Sequence, residues 1–379
     1  MPYRPKIGIM DTSFSSYPFL KCFDLKKIDL FFIGKKKDDY LCNIKNTNFI
    51  YTNYASALNI KKVISKFKLD YVVPGCNDVS FETFTKLQVQ QKFNYEVFDN
   101  LNNKRKFRLF CKNSNIPTPQ IYPNLKNIDC ERVIIKPEIG YSGRGISIAA
   151  SDDKLSVKKG IELAKKISLN KKAIIEEYVS GSLFSLSIFI KKKKIDKFFL
   201  VHEFCTENIF TVNWSFTDTL TTKNFLKKNK NSINNFIQKS QINNGLLHLQ
   251  CMIDKKLNFK IIEVTQRCPG DLYPWLIEMQ MGYDYTRRYL SEFLPRELLL
   301  KRKLTPNNQI ILRHTSSNYK NINFFHYKHL FDNTLISVPT IRTGELFSEK
   351  NKFRSGVHFY ATNKQEIKKN LKNFGVINI

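Results

Sequence analysis

A chain of 379 residues is long enough for two or three domains with a substantial core, and its hydrophobic content of 42% is ordinary for a globular protein. The longest apolar stretches, such as residues 28–33, fall far short of the roughly 20 residues that a membrane helix needs. The eight cysteines include no Cys-x-x-Cys pair, which argues against a zinc site or a disulfide framework.

The formal net charge of +29 invites a nucleic-acid-binding interpretation, because a basic surface attracts phosphate polymers whatever the fold. The excess lysines are scattered, however, and the densest run, residues 191–194, has the pattern of a solvent-exposed hairpin turn. We therefore expect neither a nucleic acid nor a membrane as partner. The N-terminus has no apolar signal-peptide core, which favours a cytoplasmic location.

The first hundred residues alternate strand-like apolar runs with amphipathic stretches. Residues 55–67 predict a helix, and loops at residues 11–13 and 75–78 follow two of the runs. This alternation favours a parallel sheet wrapped by helices, with ligands beyond the carboxyl ends of its strands. The predicted strands are Lys6–Met10, Asp29–Gly34 and Tyr71–Pro74.

A new unit begins near residue 100. Residues Lys104–Asn113 have helical spacing, and Pro117 and Pro119 then prevent the helix from continuing. Strand, glycine-rich loop, strand, helix and strand follow, and then long antiparallel strands with a helix at residues 221–244. The expected fold class is therefore α/β, becoming α+β towards the C-terminus. The predicted domains are an N-terminal α/β domain (1–100), a small central domain (101–181) and a C-terminal antiparallel domain (182–379).

The strongest chemical signal is a lysine at the end of an apolar strand, followed by a loop with three glycines. Lys136 ends the strand, and Gly140, Gly143 and Gly145 precede the next strand. Glycines let backbone N–H groups approach phosphate oxygens, and a nearby lysine neutralises their charge. The segment is neither a Walker loop nor a Rossmann fingerprint. By itself it fits a nucleotide-phosphate site or an ordinary glycine-rich hairpin.

Two further segments carry polar residues at strand ends. The strand at residues 173–177 ends in two carboxylates and offers its backbone to an adenine edge, although any strand end does so. In a later predicted hairpin, Gln250 and Glu263 offer oxygen ligands for Mg²⁺, and Arg267 offers a charge for a transferring phosphoryl group. A structural Glu–Arg pair is the alternative. His248 and Gln250 share one face of the first hairpin strand. On the second strand, Glu263, Thr265 and Arg267 share one face.

Together these segments resemble the ATP-grasp superfamily, in the branch of biotin carboxylase, carbamoyl phosphate synthetase and D-alanine ligase, over about residues 1–290. Lys104 resembles the family's first nucleotide-binding lysine, and Lys136 its central lysine. Residues 140–145 resemble its mobile glycine loop and residues 176–179 its adenine hinge. The family's Mg²⁺ ligands and catalytic arginine fall on Gln250, Glu263 and Arg267.

The resemblance implies ATP and Mg²⁺ as cofactors, with Mn²⁺ as an alternative metal. It also implies transfer of the γ-phosphoryl group to a carboxylate, and attack on the acyl phosphate by an amine. Lys136 and Arg267 would be catalytic, and Gln250, Glu263 and Thr265 would be the metal ligands. The implied nucleotide-binding residues are Lys104, Lys136, Gly140, Ser142, Gly143, Arg144, Gly145, Glu176, Glu177, Tyr178 and Val179.

Three departures from the family pattern affect the interpretation. Thr265 stands where the family usually has asparagine, and Gln250 replaces the commoner glutamate. Leu183 stands where a glutamate often holds the ribose hydroxyls. An ATP-binding regulator without catalysis is therefore the alternative to a ligase, ahead of a basic nucleic-acid-binding protein.

The acceptor side is defined only by polar residues near predicted strand ends. We expect Asn77, Asp78, Asp271 and Arg313 to lie near the carboxylate or amine substrate. Residues 268–274 depart from the family's usual glycine pair, which favours a separate subgroup with its own substrate. The sequence leaves open a small metabolite, a peptide or a sugar acid as substrate, and a homodimer as assembly.

Overall fold

The computed structural model describes residues 3–90, 93–140, 143–206, 209–242, 244–316, 333–340 and 355–373. In these ranges no helix is long and apolar enough to cross a membrane. The strands are β1 (Lys6–Met10), β2 (Asp29–Gly34), β3 (Asn48–Tyr51), β4 (Tyr71–Pro74), β5 (Ile121–Tyr122), β6 (Arg132–Pro137), β7 (Ser147–Ala150), β8 (Ala173–Glu177), β9 (Ser182–Lys191), β10 (Lys194–Cys205), β11 (Val212–Phe216), β12 (Gly245–Ile253), β13 (Phe259–Thr265), β14 (Ile310–Ser316), β15 (Thr334–Pro339) and β16 (Gly356–Thr362). The α-helices are α1 (Ala57–Phe67), α2 (Asp78–Leu87), α3 (Tyr95–Asn102), α4 (Lys104–Asn113), α5 (Lys154–Ile167), α6 (Thr219–Lys239), α7 (Tyr273–Met281), α8 (Tyr285–Leu290) and α9 (Lys364–Asn373).

The N-terminal sheet is parallel, with strand order β3-β2-β1-β4. The three predicted strands and the predicted helix are confirmed, whereas the short edge strand β3 was not predicted from the sequence. The loops after β1 and β4 lie side by side, and the backbone N–H of Cys76 donates to Asp11 Oδ2 at 3.2 Å. The two loops therefore meet at the carboxyl-end edge of this sheet, where parallel sheets bind their ligands.

The central sheet is antiparallel, with strand order β5-β8-β6-β7, and α5 packs against it. It has a small core of its own, which includes Val133, Ile135, Val157 and Ile175. The predicted order of strand, glycine loop, strand, helix and strand is confirmed, with the second strand beginning at Ser147.

The C-terminal sheet has the strand order β13-β12-β9-β10-β11-β14-β16-β15 and is antiparallel throughout the described residues. The predicted lysine-rich turn joins β9 to β10, where Lys192 and Lys193 have φ angles of 51° and 58°. Positive φ angles at both central residues are typical of a two-residue hairpin turn. Helix α6 covers one face of the sheet through Phe225, Ile233 and Phe236.

The largest hydrophobic core joins the N-terminal sheet to the other face of the C-terminal sheet. Ile7 and Phe32 of the parallel sheet belong to the same buried cluster as Leu276 of α7, Tyr289 of α8 and Phe359 of β16. The mixed α/β fold class is thereby confirmed, and the central sheet lies opposite this joint body across a cleft. The domain boundaries at residues 100 and 181 stay a prediction.

Candidate functional site

A cavity of about 800 Å³ lies where the three sheets meet. Of the residues that the sequence predicted for the site, Gly145 does not line this cavity, and Ser142 lies outside the described residues. The predicted residues that line it are Asn77, Asp78, Lys104, Lys136, Gly140, Gly143, Arg144, Glu176, Glu177, Tyr178, Val179, Gln250, Glu263, Thr265, Arg267, Asp271 and Arg313.

A buried cluster of three charges lies beside the glycine loop. Lys136 Nζ is 2.9 Å from Glu176 Oε2, and Arg108 Nε is 2.9 Å from Glu176 Oε1. Burial lowers the pKa of Lys136, and Glu176 opposes that shift. Burial would raise the pKa of Glu176, but Arg108 and Lys136 outweigh it and the pKa is lowered. The cluster therefore carries one net positive charge next to the loop.

Arg108 was not identified from the sequence, although its helix contained a signal. It lies four residues after Lys104 in α4, on the face that carries the buried residues Phe107 and Cys111. A charged residue on the apolar face of a helix needs a buried partner. Arg108 finds its partners in Glu176 and in the carbonyl of Ile262, to which Nη2 donates at 2.6 Å.

Lys104 connects the glycine loop to the predicted metal strand. Asn103 caps α4 by accepting from the N–H of Lys106, which fixes the first turn of the helix. Lys104 Nζ donates to the carbonyl of Gly140 at 3.1 Å and lies 3.9 Å from Glu263 Oε1. One ammonium group thus lies between the predicted phosphate-binding loop and the predicted metal ligand Glu263.

The glycine loop is held against a neighbouring loop and against α5. Gly143 and Gly145 have φ angles of 68° and 71°, which disfavour any residue with a Cβ. A Cβ at Gly143 would lie 2.6 Å from the carbonyl oxygen of Phe210, and one at Gly145 would lie 2.9 Å from Ile167 Cβ. Gly143 therefore approaches the cavity-lining loop, whereas Gly145 packs against α5.

The predicted adenine hinge follows β8. The backbone N–H of Tyr178 donates to the carbonyl of Arg132, whose guanidinium lies 4.3 Å from the centre of the Tyr178 ring. The Glu177 carboxylate forms an ion pair with Lys260 and accepts from the N–H of Gln120 at 3.0 Å. The side chains of Glu176 and Glu177 are thus engaged within the protein, so a base at this hinge would meet mainly backbone groups.

The predicted metal ligands lie on paired strands. Gln250 lies opposite Glu263 across the β12–β13 pair, and Thr265 lies opposite His248. The Glu263 side chain is 47% exposed, so its carboxylate is available at the cavity wall. A carboxylate, an amide and a hydroxyl oxygen suit Mg²⁺ when phosphates complete the coordination. In the described part of the chain, no cluster of three or more His, Cys, Asp and Glu suits a metal by itself.

Arg267 is held by the N-terminal domain. Its Nε and Nη2 donate to Asp78 Oδ1 and Oδ2 at 2.9 and 3.0 Å, a bidentate arrangement. Burial would lower the pKa of Arg267, but Asp78 outweighs it and raises the pKa. Thr265 Oγ1 also donates to Asp78 Oδ1, at 3.3 Å. Asp78, predicted as a substrate residue, therefore contacts the predicted catalytic arginine directly.

The far end of the cavity contains the other predicted substrate residues and one residue that the sequence did not reveal. Arg313 is buried and donates from Nε to Ser215 Oγ at 2.7 Å and from Nη1 to the carbonyl of Asp271 at 3.0 Å. Asn77 caps α2 by accepting from the N–H of Ser80. Glu203 of β10 was missed, although it is an acidic residue within the apolar C-terminal half of that strand, and burial raises its pKa.

His248 borders the same end of the cavity. Its Nδ1 lies 2.9 Å from Ser187 Oγ, and its ring lies edge-on to Tyr273. Burial, with Arg267 and Arg313 nearby, lowers the pKa of His248 to about 3. The imidazole is therefore neutral at pH 7, and it contributes hydrogen bonding rather than charge to the cavity wall.

Comparisons with solved structures identify the fold. Phosphoribosylglycinamide synthetase from Anaerococcus prevotii is 14% identical with a TM-score of 0.71, and the alignment covers 100% of both chains. L-amino acid ligase from Bacillus licheniformis is 12% identical with a TM-score of 0.75, covering 99% of this chain and 98% of that chain. The biotin carboxylase domain of Hydrogenobacter thermophilus 2-oxoglutarate carboxylase is 13% identical with a TM-score of 0.74, covering 99% and 90%. At such identities the likeness establishes the fold.

One segment of the sequence matches a family model. Residues 130–273, which include the glycine loop, the predicted adenine hinge and the β12–β13 hairpin, match the family model of the ATP-grasp domain. No curated protein matches the sequence. This segment of the chain is an ATP-grasp domain, as the resemblance predicted.

Proposed function

We propose that this protein is an ATP-dependent carboxylate–amine ligase that forms an amide through an acyl phosphate and releases ADP and phosphate. The observation that carries the proposal is the convergence of Lys104, Lys136 and Arg267 on one cavity that also contains Glu263 and Gln250. Phosphoryl transfer needs mainly positioning and electrostatic stabilisation, and these groups supply both. The related folds include a phosphoribosylglycinamide synthetase and an L-amino acid ligase.

In this proposal the nucleotide phosphates lie between the glycine loop and the metal hairpin. Lys104 and Lys136 neutralise them, and Glu263 and Gln250, with Thr265, hold Mg²⁺. Bound Mg²⁺ would supply charge neutralisation of the phosphates. Support comes from the positions of these residues along one cavity wall, and from the biotin carboxylase domain, which was solved with MgADP, ADP and bicarbonate.

Arg267 acts on the transferring phosphoryl group in this proposal, and Asp78 orients it. A bidentate carboxylate fixes the guanidinium plane, which a single contact would leave free to rotate. The carboxylate and amine substrates then occupy the end of the cavity bordered by Asn77, Asp271 and Arg313. A small metabolite, a peptide or a sugar acid fits the polar character of this end.

The deciding experiment measures Mg²⁺-dependent release of ADP and phosphate from ATP against pooled carboxylates and amines. ADP that appears only with a particular acid and amine, and disappears in Lys136→Ala, is the expected result. Release of AMP in place of ADP would rule out the acyl-phosphate route. Tight ATP binding without turnover in any pool would favour the regulator, because Thr265 and Leu183 depart from the catalytic pattern.

A further inference from the structure

Gln250 poses a problem of orientation that a glutamate in its place would not. The two ends of a side-chain amide differ, because the oxygen accepts hydrogen bonds and binds cations, whereas the NH₂ group only donates. An oxygen-binding cation such as Mg²⁺ is bound in one of the two flipped orientations and repelled in the other. A glutamine at a metal position therefore needs a neighbour that selects its orientation.

Such a neighbour is Glu203, two strands away in the C-terminal sheet. Gln250 lies on β12 and Glu203 on β10, with β9 between them. Strands two places apart are separated by about 9–10 Å. On β9 the residue opposite Gln250 is Ser185, which is fully buried and small. The two long side chains meet across it, and Gln250 Nε2 donates to Glu203 Oε2 at 2.9 Å.

We propose that Glu203 is a positioning residue that holds the NH₂ end of Gln250, so that Gln250 Oε1 faces the metal beside Glu263. The inference rests on the proposed function, since it assumes a metal at this hairpin. Gln250 occupies the place between Glu203 and Glu263, opposite the latter in the strand pair. Glu203 is only 5% exposed, so it acts on Gln250 from within the sheet.

The test measures binding of Mn²⁺ by electron paramagnetic resonance in the presence of the non-hydrolysable ATP analogue AMP-PNP, in four proteins. They are the wild type, Glu203→Ala, Gln250→Glu and the double variant. Glu203→Ala should weaken Mn²⁺ binding about tenfold, as loss of an outer partner of a metal ligand typically does. In the Gln250→Glu background the same substitution should leave the affinity unchanged or raise it, because a carboxylate has two equivalent ends and no longer needs orienting.

A conservative variant separates orientation from charge and from folding. Glu203→Gln keeps an oxygen that accepts from Gln250, so it should retain most of the Mn²⁺ affinity that Glu203→Ala loses. Equal losses from Glu203→Ala in both backgrounds would overturn the inference, as would no loss in either.

Other outcomes distinguish this inference from the proposed function. If the wild type binds no Mn²⁺ with AMP-PNP, the proposed function fails and the inference with it. If Mn²⁺ binds normally in every variant while Glu203→Ala raises only the KM of the amine, the ligase stands and the inference is overturned. Glu203 would then be a substrate contact.

Discussion

At the residue scale, the three-charge cluster of Lys136, Glu176 and Arg108 fixes the position of the Lys136 ammonium group. Two buried cations on one buried carboxylate form a stable arrangement only while all three are present, because removing one leaves an uncompensated charge or weakens the field on the others. Arg108 also donates to the carbonyl of Ile262, the residue before Glu263. It thereby joins α4, the helix of Lys104, to strand β13.

We therefore expect Arg108→Met to destabilise the protein by about 3–5 kcal/mol, the cost typical of breaking a buried ion pair. The affinity for ATP should also fall, because the cluster loses its net positive charge. Urea unfolding gives the first quantity and calorimetric titration of ATP the second. Lys106→Met is the matched control on the same helix, since Lys106 is 52% exposed in its pair with Asp99 and should cost at most about 1 kcal/mol. Equal costs for both variants would contradict the prediction.

Asp78 provides a second prediction, about orientation. Asp78→Asn keeps the size of the side chain but replaces one of the two acceptors of Arg267 with a donor. Because displacement of a catalytic group by about 1 Å can cost roughly 10²-fold, we expect kcat to fall by up to about that factor with little change in the KM for ATP. Steady-state ADP release measures both parameters. An unchanged kcat would show that Arg267 does not depend on Asp78.

At the scale of elements, the glycine loop lies against the loop before β11, where Gly143 approaches Phe210. We expect Gly143→Ala to reduce ATP affinity strongly, because its Cβ would lie 2.6 Å from the carbonyl of Phe210 and its φ of 68° disfavours alanine. Gly140→Ala is the control in the same loop, since among the described residues its Cβ would meet Pro137 alone, with Pro137 Cβ at 3.0 Å and Cγ at 3.4 Å. Fluorescence titration with a labelled ATP analogue compares them. Equal losses would show that any side chain in this loop is harmful.

The elements were largely predictable from the sequence because their signals are local. Helix α4 begins and ends at the predicted residues, and the hairpin of β12 and β13 pairs Gln250 with Glu263 as alternation requires. The contacts of Arg108 and Glu203 were not predictable, since Arg108 lies 68 residues from Glu176 and Glu203 lies 47 residues from Gln250. Only the order of strands in the folded sheet brings such residues together. Strand β3, at the sheet edge, has too short an apolar pattern to be recognised.

At the scale of the whole molecule, the shared core makes the N-terminal and C-terminal sheets one body in terms of stability. Buried residues of the N-terminal sheet and of one face of the C-terminal sheet share one cluster, so unfolding of either sheet exposes apolar surface of the other. The central sheet depends on a separate and smaller cluster. The candidate cavity is lined by residues of both bodies.

Global stability should also depend on pH through two partly buried histidines, His202 and His314. Burial lowers the pKa of His202 from 6.5 to about 4 and that of His314 from 6.5 to about 3. Between these values and pH 6.5 the unfolded chain binds protons that the folded protein does not, so stability falls as the pH falls. Above pH 6.5 this contribution is complete. Burial raises the pKa of Glu203, so this residue has the opposite effect: its protonation stabilises the folded protein as the pH falls through that pKa.

When the pH falls from 7 to 5.5, each of these histidines becomes protonated in the unfolded chain but not in the folded protein. We expect this to lower the free energy of unfolding by about 1–1.5 kcal/mol per histidine. His202→Phe should remove one such contribution. It should also stabilise the protein at pH 7, because His202 Nε2 is buried with no hydrogen-bond partner among the described residues, and its ring lies against Phe184 and Phe216. Urea unfolding at the two pH values measures both effects. Phe204→Leu on the same strand is the control, since it should lower stability equally at both pH values. An unchanged pH dependence in His202→Phe would mean that His202 titrates alike in the folded and unfolded chains.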